Sequence, residues 1–237
     1  MEEPFLVELE GGRQARAVRV HSDADLADAV EALRIGGRAA LVVVGGASGL
    51  SERDSRRLAP LFDGILAPLA QRLGATVVDG GTDAGVMRLM GSARAEGGAS
   101  FPLIGVIVDE LADSVGLEPN HTHFFLVPGT DWGHETPWLV RLASVVAAGE
   151  HSATVLVNGG AIALDDVRQS IEAGRPVAVL DGSGRSADAL AAASRGKRVD
   201  PSLAELASSK LLHVVDSRSR NDVAWLLDDL LSGRVES

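Results

Sequence analysis

Most of the chemistry open to this chain sits in four glycine-rich segments. They are Gly45-Gly46-Ala47-Ser48-Gly49, Gly80-Gly81-Thr82-Asp83-Ala84-Gly85, Asn158-Gly159-Gly160 and Asp181-Gly182-Ser183-Gly184-Arg185. Each follows a short apolar run, where a strand would hand over to a helix. Glycine lets the backbone approach an anion closely, and the helix that follows offers free N–H groups and the positive end of its dipole. Open α/β sheets bind their ligands at this end of the strands. The repetition therefore points to a phosphate-bearing small molecule.

The segments differ in detail. Gly45–Gly49 lacks the G-x-G-x-x-G spacing of the dinucleotide fingerprint and reads either as a generic phosphate or ribose turn or as a tight first βα turn. In the second segment Thr82 could bond a phosphate while Asp83 caps the helix. In the fourth, Ser183, Gly184 and the helix start would form an anion nest, with Arg185 as a bidentate fork. The competing reading there is Ser186 as an N-cap with Arg185 in solvent. Gly129-Thr130-Asp131-Trp132-Gly133-His134-Glu135 leads into a helix carrying Arg141, which would face a phosphate or be surface charge. His121 and His123 are two apart and would share a strand face, which is either metal geometry or a hydrogen-bonding core or site residue. The site as read here includes His121 and no dedicated metal.

Composition narrows the function classes. The 237 residues are 46% apolar, enough to bury a large α/β core. Only 3% are aromatic and the net charge is −11, which argues against a base-stacking or basic nucleic-acid surface. The absence of cysteine excludes disulfides, thiolate metal sites and a cysteine nucleophile. No apolar run approaches the length of a membrane span. The first residues, Met1-Glu2-Glu3-Pro4, lack a signal-peptide pattern, so the expectation is a cytoplasmic protein without membrane insertion.

The elements that would position these turns alternate along the chain. Residues 5–9 and 16–20 read as a hairpin, and Ser22 as the cap of a helix carrying Leu26, Val30 and Leu33. Strands follow at 41–44, 75–78, 103–108, 123–127, 154–157, 176–180 and 211–215. Helices follow at 84–95, 135–147, 164–173, 186–193 and 221–230. Between the first of these strands and the second, Ser51 opens a long helix with Leu58, Phe62, Ile65, Leu69 and Leu73, kinked or divided at Pro60 and Pro68. The expected fold class is α/β: a Rossmann-like three-layer αβα domain with a mostly parallel sheet of about seven strands. A small N-terminal hairpin and helix (1–37) would pack on a core spanning 38–232, the whole forming one domain.

Gly80–Met87, Pro119-Asn120-His121-Thr122-His123-Phe124, Gly159–Leu164 and Gly182–Asp188, in this order, resemble the SLOG superfamily. The set looks most like its prokaryotic branch, related to the N-terminal ligand-sensing domain of melastatin-type TRP channels. The resemblance covers about residues 40–193 and implies a sensor for ADP-ribose, NAD or a related nucleotide. A sister group, the cytokinin-activating LOG enzymes, cleaves nucleoside monophosphates with P-G-G-x-G-T-x-x-E. Here Ile162 and Ala163 replace that glycine and threonine, and Asp166 stands at the glutamate position. The alternative is thus an N-glycosidic hydrolase of nucleotides or NAD, with Asp166 and Glu135 as its carboxylates, or helix-start charge for Asp166. The expected ligand contacts are Gly45, Gly46, Ser48, Gly80, Gly81, Thr82, Asp83, Gly85, His121, Thr130, Arg141, Asn158, Gly159, Gly160, Gly182, Ser183, Gly184 and Arg185. Any magnesium would arrive with the ligand. The likeness to LOG-type proteins also implies a homodimer, for which the apolar helix 58–73 is a candidate interface or equally core, and the expected output is through a separate effector protein or the protein's own assembly.

Overall fold

The computed structural model describes residues 1–233. Nine strands form one sheet: β1 (Phe5–Leu9), β2 (Arg13–Arg19), β3 (Ala40–Gly45), β4 (Thr76–Asp79), β5 (Leu103–Val108), β6 (His123–Val127), β7 (Ser152–Val157), β8 (Val177–Asp181) and β9 (Leu212–Asp216). The helices are α1 (Asp23–Leu33), α2 (Glu52–Leu61), α3 (Ala67–Leu73), α4 (Gly85–Glu96), α5 (Asp109–Ala112), α6 (Thr136–Ala147), α7 (Ala161–Glu172), α8 (Arg185–Ser194), α9 (Pro201–Ala207) and α10 (Arg220–Ser232).

The strand order is β1-β2-β6-β5-β4-β3-β7-β8-β9, and every neighbouring pair is parallel except β1 with β2. The hairpin is therefore part of the sheet rather than an attachment to it. Residues Arg16–Arg19 of β2 pair with His123–Leu126 of β6, which extends the expected seven strands to nine. No local pattern announces that pairing, because a short alternating strand reads the same whether or not its outer edge is used.

The sheet is covered on both faces. Along β3, Leu41 and Val43 point into a core built with α2, α3, α4 and α10, while Val42 and Val44 point into one built with α1, α6, α7, α8 and α9. This is the two-residue period of a strand buried on both sides, and it explains the continuous apolar run. Pro60 and Pro68 do not break the helix after Ser51. A single π-turn, Phe62–Leu66, joins α2 to α3 and absorbs the misfit around the missing donors. Its residues Leu58, Phe62, Ile65 and Leu69 are all buried against the sheet. The segment read as a candidate dimer interface is core.

From β3 the chain winds outward through β4, β5 and β6, then returns to β7 on the other side of β3. The strand order reverses there, so the turns leaving β3, β4 and β7 open away from one another and leave a crevice at the carboxyl ends of the strands. Among the described residues, no helix is long and apolar enough to cross a membrane.

Candidate functional site

The crevice is a cleft of about 810 Å³. Its floor is the end of β3 with Gly45–Gly49. One wall is Gly80 and Thr82–Ala84 with Met87, and the other is Gly160–Ala163 with Asp166. Val115, Gly116, Trp132, Glu135, Leu139 and Arg185 complete it. Such a volume holds a ligand of drug or nucleotide size.

Close packing beneath the cleft explains several glycines. A Cβ at Gly45 would lie 2.0 Å from the Val157 carbonyl oxygen, and one at Gly85 would lie 1.8 Å from the Gly46 carbonyl oxygen. These glycines bring β7 and α4 against the first turn. The N–H of Val86 donates to the Gly46 carbonyl at 2.9 Å. Two helices then start at the cleft without a side-chain cap: α4 after Ala84 and α7 after Gly160. The positive dipole ends of both and the first N–H groups of α7 are open to an anion, while on α4 the Val86 N–H is already taken by Gly46.

Arg185 supplies the cation. It is the first residue of α8, held at φ 48°, a left-handed conformation that a non-glycine residue adopts only at a cost. That twist turns its guanidinium across the mouth of the cleft. A Cβ on Gly49 would lie 2.8 Å from Nη1, and one on Gly160 would lie 3.3 Å from Nη2. Among the described residues the guanidinium has neither a hydrogen-bonding partner nor a carboxylate. An exposed, unpaired arginine above an uncapped helix start has the charge and the geometry to hold an anion.

Besides Asp83, which is paired with Arg88 at 2.6 Å, two carboxyl groups line the same cleft. Asp166 projects from the first turns of α7 and is only 8% exposed. Burial pushes its pKa up to about 7, opposed by the Thr136 hydroxyl and reinforced by the charges of Glu135 and Asp165. Glu135 is also raised by burial, against hydrogen bonds from backbone N–H groups, one of them that of Gly133 at 2.8 Å. Burial thus favours the protonated form of both carboxyl groups, and Asp166 is the one whose pKa reaches about 7.

Other expected contacts lie behind the lining. Ser183 is fully buried: its Oγ accepts from the Asn158 N–H at 2.8 Å and donates to the Leu180 carbonyl at 2.6 Å. Asn158 is equally buried, donating through Nδ2 to the Ser183 carbonyl at 3.0 Å and accepting from the Gly159 N–H at 3.0 Å. The expected anion nest is filled from within the chain. Gly182 and Gly184 both donate to Asp188 Oδ1, at 2.7 and 2.9 Å. Gly182, Ser183 and Gly184 thus hold the β8 turn closed, and of that motif only Arg185 reaches the cleft. Gly81 packs on Gly105 and Phe124, and Gly159 on Ala163 and Leu156.

His121 is a buried core residue. Its Nε2 meets Asp79 Oδ1 and its Nδ1 meets Glu118 Oε2, both at 2.8 Å. Burial disfavours the imidazolium, but Asp79 and Glu118 outweigh it and raise the pKa to about 9. The cluster ties β4 to the segment that carries Val115 and Gly116, and the Gly81 carbonyl accepts from the Glu118 N–H at 2.9 Å. His121 and His123, weighed as metal ligands, have separate partners, since His123 meets the Thr122 hydroxyl; His134 accepts from the Thr130 and Asp131 N–H groups.

Arg141 also turns away from the cleft. It lies on the face of α6 toward α1, paired with Asp23 at 3.1 Å and stacked 4.5 Å over the Trp138 ring. Thr130 is exposed in the loop before α6, where its hydroxyl bonds Asp131. The cleft thus gathers Gly45, Gly46, Ser48, Gly80, Thr82, Asp83, Gly160, Arg185, Glu135 and Asp166, and it leaves out Gly81, Gly85, His121, Thr130, Arg141, Asn158, Gly159 and Gly182–Gly184. It adds Trp132, Ile162 and Leu139, which reading for polar groups and glycines passed over. Trp132 stands in the sequence between Asp131 and Gly133, and the loop signal there was visible.

Comparison with known proteins agrees with this architecture. A family model described as SLOG in TRPM, prokaryote, matches residues 38–224. Similar curated proteins include transient receptor potential cation channel subfamily M member 2 of Mus musculus, 27% identical over 194 residues, covering 63% of this chain and 13% of that protein. Another is the subfamily M member-like 2 channel of Nematostella vectensis, 25% identical over 233 residues, covering 74% of this chain and 15% of that protein. The chain thus spans about an eighth to a seventh of these relatives. Among solved structures, the molybdenum cofactor binding protein of Rippkaea orientalis is similar, with a TM-score of 0.56 and 15% identity over 82% of this chain and 98% of that one. At that identity the likeness is one of fold.

Proposed function

We propose a nucleotide-sensing role for this chain, which belongs to the prokaryotic SLOG family related to TRPM channels. The ligand would be ADP-ribose, NAD or a related nucleotide, its phosphates against the uncapped starts of α4 and α7 and the Arg185 guanidinium. The observation that carries this reading is Arg185, an unpaired cation held in a costly backbone conformation over the cleft. Acidic proteins bind phosphates through such local fields despite their net charge. Any magnesium would accompany the ligand. The protein would act in the cytoplasm and signal through a separate effector or its own dimer.

The test is a thermal-shift and calorimetric screen with ADP-ribose, NAD and AMP, with and without magnesium. A ligand specific for the folded state raises apparent stability by about 2.7 kcal/mol at a hundredfold excess over Kd. Arg185→Ala should weaken binding about 10- to 100-fold without lowering the melting temperature, because a charged hydrogen bond contributes about 1.5–3 kcal/mol. Unchanged affinity in that variant would remove Arg185 from the site.

A second reading is favoured by the carboxyl pair. Asp166 and Glu135 would serve as acid and base in hydrolysis of an N-glycosidic bond. Incubation with AMP and NAD, followed by chromatography for the free base, decides it. Intact ligand after many hours, under conditions where binding is saturated, would exclude turnover.

A further inference from the structure

We propose that the outer edge of β9 is the interface for a second copy of this chain, the two β9 strands pairing antiparallel about a two-fold axis at Val214. It does not depend on what the cleft binds. β9 ends the strand order and, among the described residues, pairs with β8 alone. In that ladder the Val177 N–H donates to the Leu211 carbonyl and the Ser217 N–H donates to the Asp181 carbonyl, both at 2.8 Å. With the register Val177↔Leu212 to Asp181↔Asp216, these bonds commit the backbone of Leu211, His213, Val215 and Ser217 to β8. Leu212, Val214 and Asp216 therefore turn their backbone groups outward. The Leu212 N–H is answered by the Ser209 carbonyl at 3.2 Å, and the Asp216 carbonyl by the Ser219 N–H at 2.9 Å. What stays open among the described residues is the Leu212 carbonyl, both groups of Val214 and the Asp216 N–H.

That set is complementary to itself. In an antiparallel hydrogen-bonded pair, residues directly opposite exchange their N–H and carbonyl groups. Centred on Val214, the pairing sets Val214 against Val214 of the second copy and Leu212 against its Asp216. Each Val214 N–H then donates to the other Val214 carbonyl, and each Asp216 N–H to the other Leu212 carbonyl. The remaining bond of the pattern, from Leu212 N–H to Asp216 carbonyl, is the one each group has already replaced within its own chain. Moving the axis to His213 or Val215 would aim one Val214 group at a group already taken, so the open groups select the register. The side chains agree. β9 reads Leu-His-Val-Val-Asp, without the lysine or proline that blunts an edge, whereas β1, the opposite edge, carries Glu8 between Glu3 and Glu10 and would bring like charges together. Burial lowers the His213 pKa and the Asp229 carboxylate opposes it, so that stripe of α10 looks toward β9. Trp225 stands one turn earlier on the stripe and is 67% exposed, the most exposed large apolar side chain described. A two-fold axis normal to the sheet puts both α10 helices on one face, with the Trp225 indoles beside the seam. The two clefts then open at opposite ends of one continuous sheet.

The test is sedimentation equilibrium of the full chain over a wide concentration range, with amide hydrogen exchange read on the same samples. Wild type should reach the mass of two 24.6 kDa chains. Val214→Pro removes an N–H that β8 does not use, so it should keep the wild-type circular dichroism and fall to the mass of one chain. Trp225→Lys alters an exposed side chain and should weaken association by at least about tenfold. In wild type the Val214 and Asp216 amides should exchange more slowly as concentration rises. A wild type that stays at the mass of one chain overturns the interface. So does a dimer of unchanged strength in Val214→Pro. If Val214→Pro fails to fold, the exchange of wild type decides: Val214 and Asp216 amides that are no better protected in the dimer overturn the β9 pairing, and concentration-dependent protection of both upholds it.

Discussion

The turns after β7 and β8 are built from nearly the same material and end up in opposite states. Asn158-Gly159-Gly160 leads into α7 with no side-chain cap, and its first N–H groups face the cleft. Asp181-Gly182-Ser183-Gly184 leads into α8 with the Gly182 and Gly184 N–H groups already taken by Asp188 and with Ser183 sealed in the core. The difference lies in what stands a few residues into the helix. Asp188 reaches back to its own turn, whereas on α7 Asp165 engages Arg168 and Gln169, and Asp166 faces the cleft. A glycine turn is thus a ligand site only when its own chain leaves the donors unanswered.

The two turns are also latched together, and breaking the latch should have the largest effect. Asn158 joins them through its backbone N–H and its Nδ2, both bonded to Ser183, while its Oδ1 accepts from Gly159 within its own turn. It sits at φ 63°, which asparagine tolerates better than alanine. Asn158→Ala removes one of the two donors to the Ser183 carbonyl, which keeps Arg57 Nη2 at 3.0 Å, leaves the Gly159 N–H without its partner and puts alanine at a positive φ, so denaturant unfolding should show a loss of about 2–4 kcal/mol. A loss below about 1 kcal/mol would mean that the turns hold their shapes independently.

The open turn should cost stability where the closed one adds it. The Asp166 pKa is raised to about 7 from an ordinary 3.8. The folded state therefore binds this proton more tightly than the unfolded chain does. Its favourable contribution is complete below the unfolded value and is lost as pH climbs through 7. Asp166→Asn keeps the shape without the charge. It should match wild type near pH 4 and exceed it above pH 7 by on the order of 1–3 kcal/mol, read from denaturant midpoints across that range. Parallel pH profiles would show that the carboxyl group is not the source of the cost.

Much of the framework was readable from residue types. Runs such as Leu41–Val44 and Leu103–Val108 are apolar without alternation because both faces are covered, and each strand except β2 was found within a residue or two. The pairing of β2 with β6 was not readable, since register depends on a partner far along the chain. The site was legible as a set of turns and less so as side chains. Ser183 and Arg185 look equally available in a string of letters. Burial separates them, and burial depends on how α8 seats on the sheet. Whether Arg141 faces a phosphate or is surface charge stayed open for a related reason: helical spacing fixes its face on α6, but only the placement of α1 and Asp23 says which way that face looks. Trp132 was passed over because an aromatic residue in a loop carries no signal of its own until the loop is seen over a cleft.

Asp188→Ala probes the comparison from the closed side and should have the smallest effect. It removes the acceptor of two N–H groups, which water can partly replace because Gly182 is exposed and Gly184 half-buried. The cost should resemble that of a lost helix cap, about 1–2 kcal/mol in denaturant unfolding. Affinity for ADP-ribose should stay within about twofold of wild type, since the freed donors lie behind Arg185 rather than in the cleft. Tighter binding would carry a different lesson: the emptied nest would then be taking a phosphate, and Asp188 would be standing in for an anion that the turn after β8 was shaped to hold.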